Sequence, residues 1–305
     1  MCDFSSSEFE SVVITSPSGR KLCRVSHRDT TVSSDQVAKK VLISDKSVRL
    51  QITTEKTGFT LQKVYGHPNT SGNFQKFWDW QPAVVVPTYR ANLTVYDPKK
   101  EDRVVSQLDL TRDATYYLGR DSSGRDWCRN IAFEPQDANN NVYITDEVHF
   151  PPLADPIIKG YILMELEKNN KPSRSLHAEP VSMKNPYGPE LTIRPLGNIA
   201  HDCLFHIGGF YEARISAGHA KWLGGSEGCF AFIPKESVSK TENDAAKVAA
   251  NTEFYSNKKW VSVTDSIDAH RKLDSKNRFF VELAKRSSFS RDSCVEIIKI
   301  ARAFP

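Results

Sequence analysis

Cysteine and histidine form the constellation in this chain best suited to covalent chemistry. Phe205-His206-Ile207-Gly208-Gly209 is followed, after a loop, by Gly225-Ser226-Glu227-Gly228-Cys229-Phe230. A cysteine nucleophile needs a base to take its proton, backbone N–H groups to hold an oxyanion, and a tight turn that lifts the sulfur clear of the chain. Cys229 is the candidate nucleophile and His206 the candidate base. Gly228 lets the backbone approach a substrate closely, the amides around Gly228 and Cys229 can face a developing oxyanion, and the Ser226 hydroxyl can brace the turn. Two other readings of these residues stay open. Gly-Cys followed by Phe-Ala-Phe-Ile also fits the start of a buried strand, since cysteine outside disulfides is among the most buried residue types. His201, Cys203, His206 and Cys229 are all zinc-type ligands. No Cys-x-x-Cys pair occurs, however, and strand alternation sends Cys203 and His206 to opposite faces, so neither metal nor cofactor is expected.

The elements that must position this pair read as mostly strand. Val12–Thr15, Lys21–Val25, Val41–Ile43 and Val48–Ile52 alternate between turns rich in Ser, Gly and Asp, the pattern of half-buried antiparallel strands. The aromatic group Phe77-Trp78-Asp79-Trp80 follows, and Pro82 and Pro87 suggest a boundary near residue 85, since each removes a ladder donor. Strand patterns resume at Val104–Leu108 and Tyr116–Leu118, with a polar loop over Asp137–Asn141. Ile157–Leu166 is a central strand, and Leu191–Arg194 and Cys203–His206 approach the proposed site as two more. Beyond Pro234, Ser239-Lys240-Thr241-Glu242 is a capping-box pattern leading into a helix over 243–250. Helical spacing of Phe279, Phe280, Leu283 and Ala284 predicts a second helix over Ser275–Arg286, and Cys294–Phe304 fits helix or strand.

A Cys-His pair in this order, His206 before Ser226-x-Gly228-Cys229 and an apolar residue, resembles the catalytic motif of the L,D-transpeptidase family. Ala91–Asp97 is similar to that family's opening strand and Asn185-Pro186-Tyr187-Gly188 to its substrate-side turn, so the resemblance spans about half of the chain. Glu227 stands where many members have histidine, Ala231 where many have arginine, and the loop from His206 to Ser226 is longer than usual, departures that divergent transpeptidase-like toxins tolerate. The resemblance implies a mainly β fold, an L,D-transpeptidase-like β-sandwich over residues 86–238, with an N-terminal β-rich region over 1–85 and a C-terminal helical extension over 239–305. It implies a thioester through Cys229, a base at His206 oriented by a backbone carbonyl within Ile207–Gly209, and the tetrapeptide stem of peptidoglycan as substrate. Arg194, Arg214 or Lys221 would bind the stem carboxylate in place of Ala231, and Gly208, Gly209 and Tyr187 would line the cleft.

Composition limits the alternatives. A chain of 305 residues, 39% hydrophobic, is long enough for a full core. Its net charge of +4 is mild and unclustered, which gives no nucleic-acid footprint and leaves an acidic polymer such as peptidoglycan acceptable. The 6 cysteines have no regular spacing, so the expectation is folding in a reducing compartment. No signal-peptide pattern or transmembrane segment is read, and the expectation is export by a specialised route such as type VI secretion, with an immunity protein and the secretion apparatus as partners. A non-catalytic wall-binding module and a wall-recycling cysteine peptidase are the alternatives. A papain-like enzyme is disfavoured, because it places cysteine before histidine and His270 is the sole histidine after Cys229.

Overall fold

The computed structural model describes residues 9–15, 21–27, 48–63, 80–97, 101–120, 123, 126–136, 138, 141–150, 158–166, 172–182, 195–208, 228–250, 257–272, 277–287 and 298–301. The fold is mainly β. Strands β1 (Phe9–Thr15) and β2 (Lys21–His27) form an antiparallel hairpin. A larger sheet uses β3 (Val48–Lys63), β4 (Trp80–Asp97) and β5 (Glu101–Thr111). After it come the two-stranded β6 (Asp113–Arg120) and β7 (Asp126–Ala132), then β8 (Val142–Phe150), β9 (Ile158–Leu166) and the short β10 (Pro172–Ser173). β11 (Ser175–Ser182) pairs with β12 (Pro195–His201), and β13 (Leu204–Ile207), β14 (Phe230–Ile233), β15 (Phe279–Leu283) and β16 (Ile298–Ala301) complete the strands.

Pairing in the large sheet runs β9-β13-β14-β5-β4-β3-β15-β8, and β8 then pairs with β9 from Ile144↔Met164 to Phe150↔Ile158. The path returns to its start, so these eight strands form a closed sheet. Closure removes exposed edges and makes each of these strands the neighbour of two others. Val48, Leu50 and Ile52 of β3, Tyr89, Ala91 and Leu93 of β4, and Leu108 and Leu110 of β5 alternate into the enclosed core. Tyr161 stacks on Phe205 at 6.2 Å and meets Phe279 edge-on at 4.8 Å.

The helix Asn257–Arg271, which is not among the elements read from the sequence, closes the end where β9 begins. Trp260 packs against Phe205 and Phe232 and donates its indole N–H to Lys159 O at 2.7 Å, while Asp268 holds Lys159 and Arg271 holds Glu147. The helix over Ala245–Ala250 forms as expected, although its lead-in differs from a capping box. The Ser239 hydroxyl donates to Thr241 O, and Ser239 and Phe59 exchange backbone hydrogen bonds of 2.8 and 2.9 Å. That approach requires glycine at 58, where a Cβ would lie 2.3 Å from Ser239 O. Among the described residues no helix is long and apolar enough to cross a membrane.

Two expectations need correction. The boundaries at residues 85 and 238 do not separate folding units, because β4 runs unbroken through residue 85 and β15 lies between β3 and β8 in the same sheet. Pro87 is tolerated because, among the described residues, β16 pairs with β4 only at 80–83 and β5 only from 89 on, so the missing donor faces a gap in the ladder. The segment over Ser275–Arg286 contains strand β15 in place of a helix. Phe279, Phe280, Val281 and Leu283 are all buried, and a short run buried on both faces carries no period that separates strand from helix. Asn141 fixes it in place, accepting from Leu283 N at 2.9 Å and donating its amide to Leu283 O at 2.8 Å.

Candidate functional site

β13 and β14 are parallel neighbours, with Phe205 opposite Phe230, His206 opposite Ala231 and Ile207 opposite Phe232. Phe205, Ile207, Phe230 and Phe232 belong to the core, so His206 and Ala231 share the other face. Ala231 also pairs with Thr111 of β5, which makes His206, Ala231 and Thr111 one row across three strands. Cys229 immediately precedes β14, two residues from Ala231, at the end of the sheet where β13 starts. By strand spacing and rise, its Cα is about 8 Å from that of His206. The sequence places these two residues far apart, and the parallel pairing brings them to one strip of sheet.

His206 is 5% exposed, and its Nδ1 lies 2.5 Å from Ile207 O. A carbonyl oxygen can only accept, so Nδ1 carries the proton and, in the neutral ring, Nε2 does not. Burial is the dominant influence on its acidity and pushes the imidazolium down to about 4, with the Ile207 hydrogen bond acting weakly the other way. The ring is therefore neutral at neutral pH, and Nε2 is the nitrogen without a proton. Its orienting carbonyl falls within the Ile207–Gly209 range that the resemblance implies.

Cys229 is half-buried and not in a disulfide, with its thiol 3.9 Å from Asp202 O. Gly228 before it has φ 110°, a left-handed conformation that strains any residue with a Cβ. Gly208 is buried and its N–H donates to Phe232 O at 2.8 Å, so that amide extends the ladder and does not face a ligand. Ser226, Glu227, Arg194, Gly209, Arg214, Lys221, Tyr187, Asn185 and His219 lie outside the described residues. His201 is exposed, with Nδ1 2.9 Å from Ser175 Oγ.

A charged cluster lies at the same end of the sheet as Cys229, and sequence reasoning did not find it. Arg112, directly after β5, reaches Glu134 at 3.3 Å, Ala284 O at 3.0 Å and Thr53 O at 3.2 Å. Arg286 meets Glu134 at 2.5 Å, Asp113 at 2.9 Å and the Tyr89 hydroxyl at 2.8 Å. All five side chains are buried, two cations against two carboxylates, and both guanidinium groups also lie over the Tyr89 ring. Burial lowers Arg112 to about 10, with Glu134 acting in the opposite direction, so it remains charged at neutral pH. Burial also opposes the charge on Arg286, but Asp113 and Glu134 outweigh it and push that group above its ordinary range. Continuing the β14–β5 register by two residues sets Asp113 opposite Cys229, so the cluster underlies the strand ends that carry the thiol. The sequence signal, an Arg-Asp pair closing an alternating strand, gives no indication of partners at 134 and 286.

Compared with protein-family models, curated proteins and solved structures, the chain gives no match.

Proposed function

We propose that this protein is a cysteine-dependent acyl transferase acting on peptidoglycan tetrapeptide stems, as an L,D-transpeptidase, D-amino-acid exchanger or L,D-carboxypeptidase. The closed β sheet would then be a divergent form of the L,D-transpeptidase β-sandwich. The observation that carries the reading is the buried, neutral His206, fixed as its Nδ1–H tautomer by Ile207 O, on the strand paired with the one that follows Cys229. In the proposed reaction Cys229 Sγ attacks the carbonyl of the third stem residue as its proton passes to Nε2 of His206. Amides near Gly228 and Cys229 hold the oxyanion, and the proton then goes to the leaving amine of D-alanine. The thioester is released by an incoming amine or by water, with His206 taking the acceptor's proton.

The test is incubation of the purified protein with defined tetrapeptide muropeptides, reading products by mass. Loss of D-alanine, or its exchange for an added D-amino acid, is expected from the wild type and not from Cys229→Ala. Intact tetrapeptides after incubation with folded protein would reject the reading. We further propose that the enzyme works as an exported antibacterial toxin, so expression with a periplasmic signal should arrest growth and expression without one should not. A non-catalytic wall-binding module is the second reading, favoured by the near-complete burial of His206. Turnover separates the two, because an active enzyme removes or exchanges D-alanine in a Cys229- and His206-dependent way and a binding module leaves the bound stem intact.

A further inference from the structure

Cys203 lies beside Cys229, and nothing in the proposed reaction uses it. β13 and β14 pair at Phe205↔Phe230, and continuing that parallel register sets Leu204 opposite Cys229, with Cys203 one residue off. Strands about 4.8 Å apart with a rise of about 3.3 Å per residue then give a Cα separation of about 6 Å. That is inside the span of roughly 4.4–6.8 Å which a disulfide bridges. The two sulfurs lie against successive carbonyls of one turn, Cys203 Sγ at 4.0 Å from His201 O and Cys229 Sγ at 3.9 Å from Asp202 O. Regular alternation would send the two side chains to opposite faces. Cys229, however, stands outside β14 directly after the left-handed Gly228, and Cys203 stands outside β13 directly after the left-handed Asp202 at φ 51°. Cys203 keeps the alternation of β13 and faces the core with Phe205 and Ile207, while the turn at Gly228 sets the Cys229 sulfur against Asp202 O, next to the carbonyl that the Cys203 sulfur meets.

The two environments also divide the roles. Cys203 is buried in the core, and burial, then the charges of Cys229 and Asp202, push its thiol up beyond its ordinary range, so it stays protonated and unreactive on its own. Cys229 is half-exposed and meets oxidants from solvent first.

We infer that Cys203 and Cys229 are a resolving and a peroxide-reactive cysteine, which oxidants of the hydroperoxide class convert to an intramolecular disulfide. Cys229 releases its proton to solvent and the thiolate sulfur attacks hydrogen peroxide, forming an S–O bond as the O–O bond breaks; the departing hydroxide takes up a proton as water. Cys203 sulfur then attacks Cys229 sulfur, forming the S–S bond as the S–O bond breaks, and the departing hydroxide takes the Cys203 proton as a second water. Two thiols and one peroxide become one disulfide and two waters. This chemistry does not require the peptidoglycan reading; where that reading holds, the same bond disables the nucleophile until a thiol reductant restores it.

The test needs no enzymatic assay. Reduced full-length protein is treated with hydrogen peroxide, remaining thiols are alkylated, and the protein is digested with trypsin. Cleavage after Lys184, Arg214, Lys221 and Lys235 isolates Cys203 in peptide 185–214 and Cys229 in peptide 222–235, since Arg194 precedes a proline and is not cut. The expected product is these two peptides joined, less the two thiol hydrogens, and separated again by dithiothreitol. In Cys203→Ala, Cys229 should advance to sulfinic acid at peroxide doses that leave the wild type at the disulfide. Should that variant not fold, the wild-type peptide map decides alone. Cys229 found as sulfinic acid beside an alkylated Cys203, or joined to any other cysteine, overturns the inference, as does equal sulfinic acid in wild type and Cys203→Ala.

Discussion

His206 makes a prediction about stability that is independent of substrate. Its ordinary imidazolium value is 6.5, and burial lowers it to about 4 in the folded protein. Between those values the unfolded chain binds a proton at this position and the folded protein does not, so stability must fall as pH falls below 6.5 and the loss must saturate below about 4. Each tenfold change in proton affinity corresponds to about 1.4 kcal/mol, which puts the penalty from this residue at about 2 kcal/mol at pH 5 and about 3 kcal/mol at pH 4. His206→Asn removes the titration and leaves an amide able to donate to Ile207 O. Urea unfolding of both proteins at about pH 7 and about pH 5 isolates the residue, because groups common to both cancel in the difference. The wild type should lose about 2 kcal/mol more than His206→Asn between the two conditions. Equal losses in the two proteins would mean that the imidazole is solvated, and the assignment of a buried neutral imidazole would fail with it.

In a turnover assay, Cys229→Ala should abolish activity with a folded protein, since a half-buried residue outside a strand contributes little packing; a misfolded variant would favour a buried structural cysteine. Gly228→Ala should cost about 1–2 kcal/mol by forcing a Cβ into the left-handed region and should slow turnover by displacing Cys229, so unchanged melting would contradict the turn geometry. Glu227→Gln should stay within a few-fold of wild type, about 1 kcal/mol or less in barrier, and a hundredfold loss would give that acid a direct role. Arg286→Met should cost about 3–5 kcal/mol in urea unfolding by leaving Glu134 and Asp113 buried without their main cation, and a loss under about 1 kcal/mol would show the cluster to be solvated.

What was legible in the sequence follows from which interactions are local. Val48–Ile52 and Ile157–Leu166 read as strands because side-chain alternation or a bounded apolar run is written within a few residues, and both lie in the large sheet. Cys229 and His206 were legible as a candidate pair from residue type, and the family resemblance implied a carbonyl within Ile207–Gly209, where Ile207 O meets the imidazole. β15 was misread because side chains on both of its faces are buried, which erases the alternation that marks a half-buried strand. The charged cluster was invisible for a different reason. Arg286 finds Glu134 and Tyr89 at sequence separations of 152 and 197 residues, and no local pattern records such partners. The boundary at residue 85 failed because a proline removes a donor without ending a strand whose edge, among the described residues, has no partner at that point.

The cluster and the low basicity of His206 bear on the proposed chemistry together. A base with a conjugate acid near 4 cannot hold a resting thiolate–imidazolium pair at neutral pH, so proton transfer must accompany attack on the carbonyl and cannot precede it. Such a coupled step demands a near-attack geometry, because no stored thiolate compensates for a misplaced sulfur. Rigidity beneath Cys229 then takes on a chemical role. Arg112, Glu134, Arg286 and Asp113 tie the end of β5 to the residues after β15 and β7, and β5 is the direct neighbour of the strand that follows the thiol. A change such as Glu134→Gln should therefore lower the turnover rate more than it raises the Michaelis constant, while leaving the acid limb of the pH profile near 4, since that limb belongs to His206. An acid limb near 6.5 in wild type would place the working base elsewhere and would break the link between the buried imidazole and the thiol.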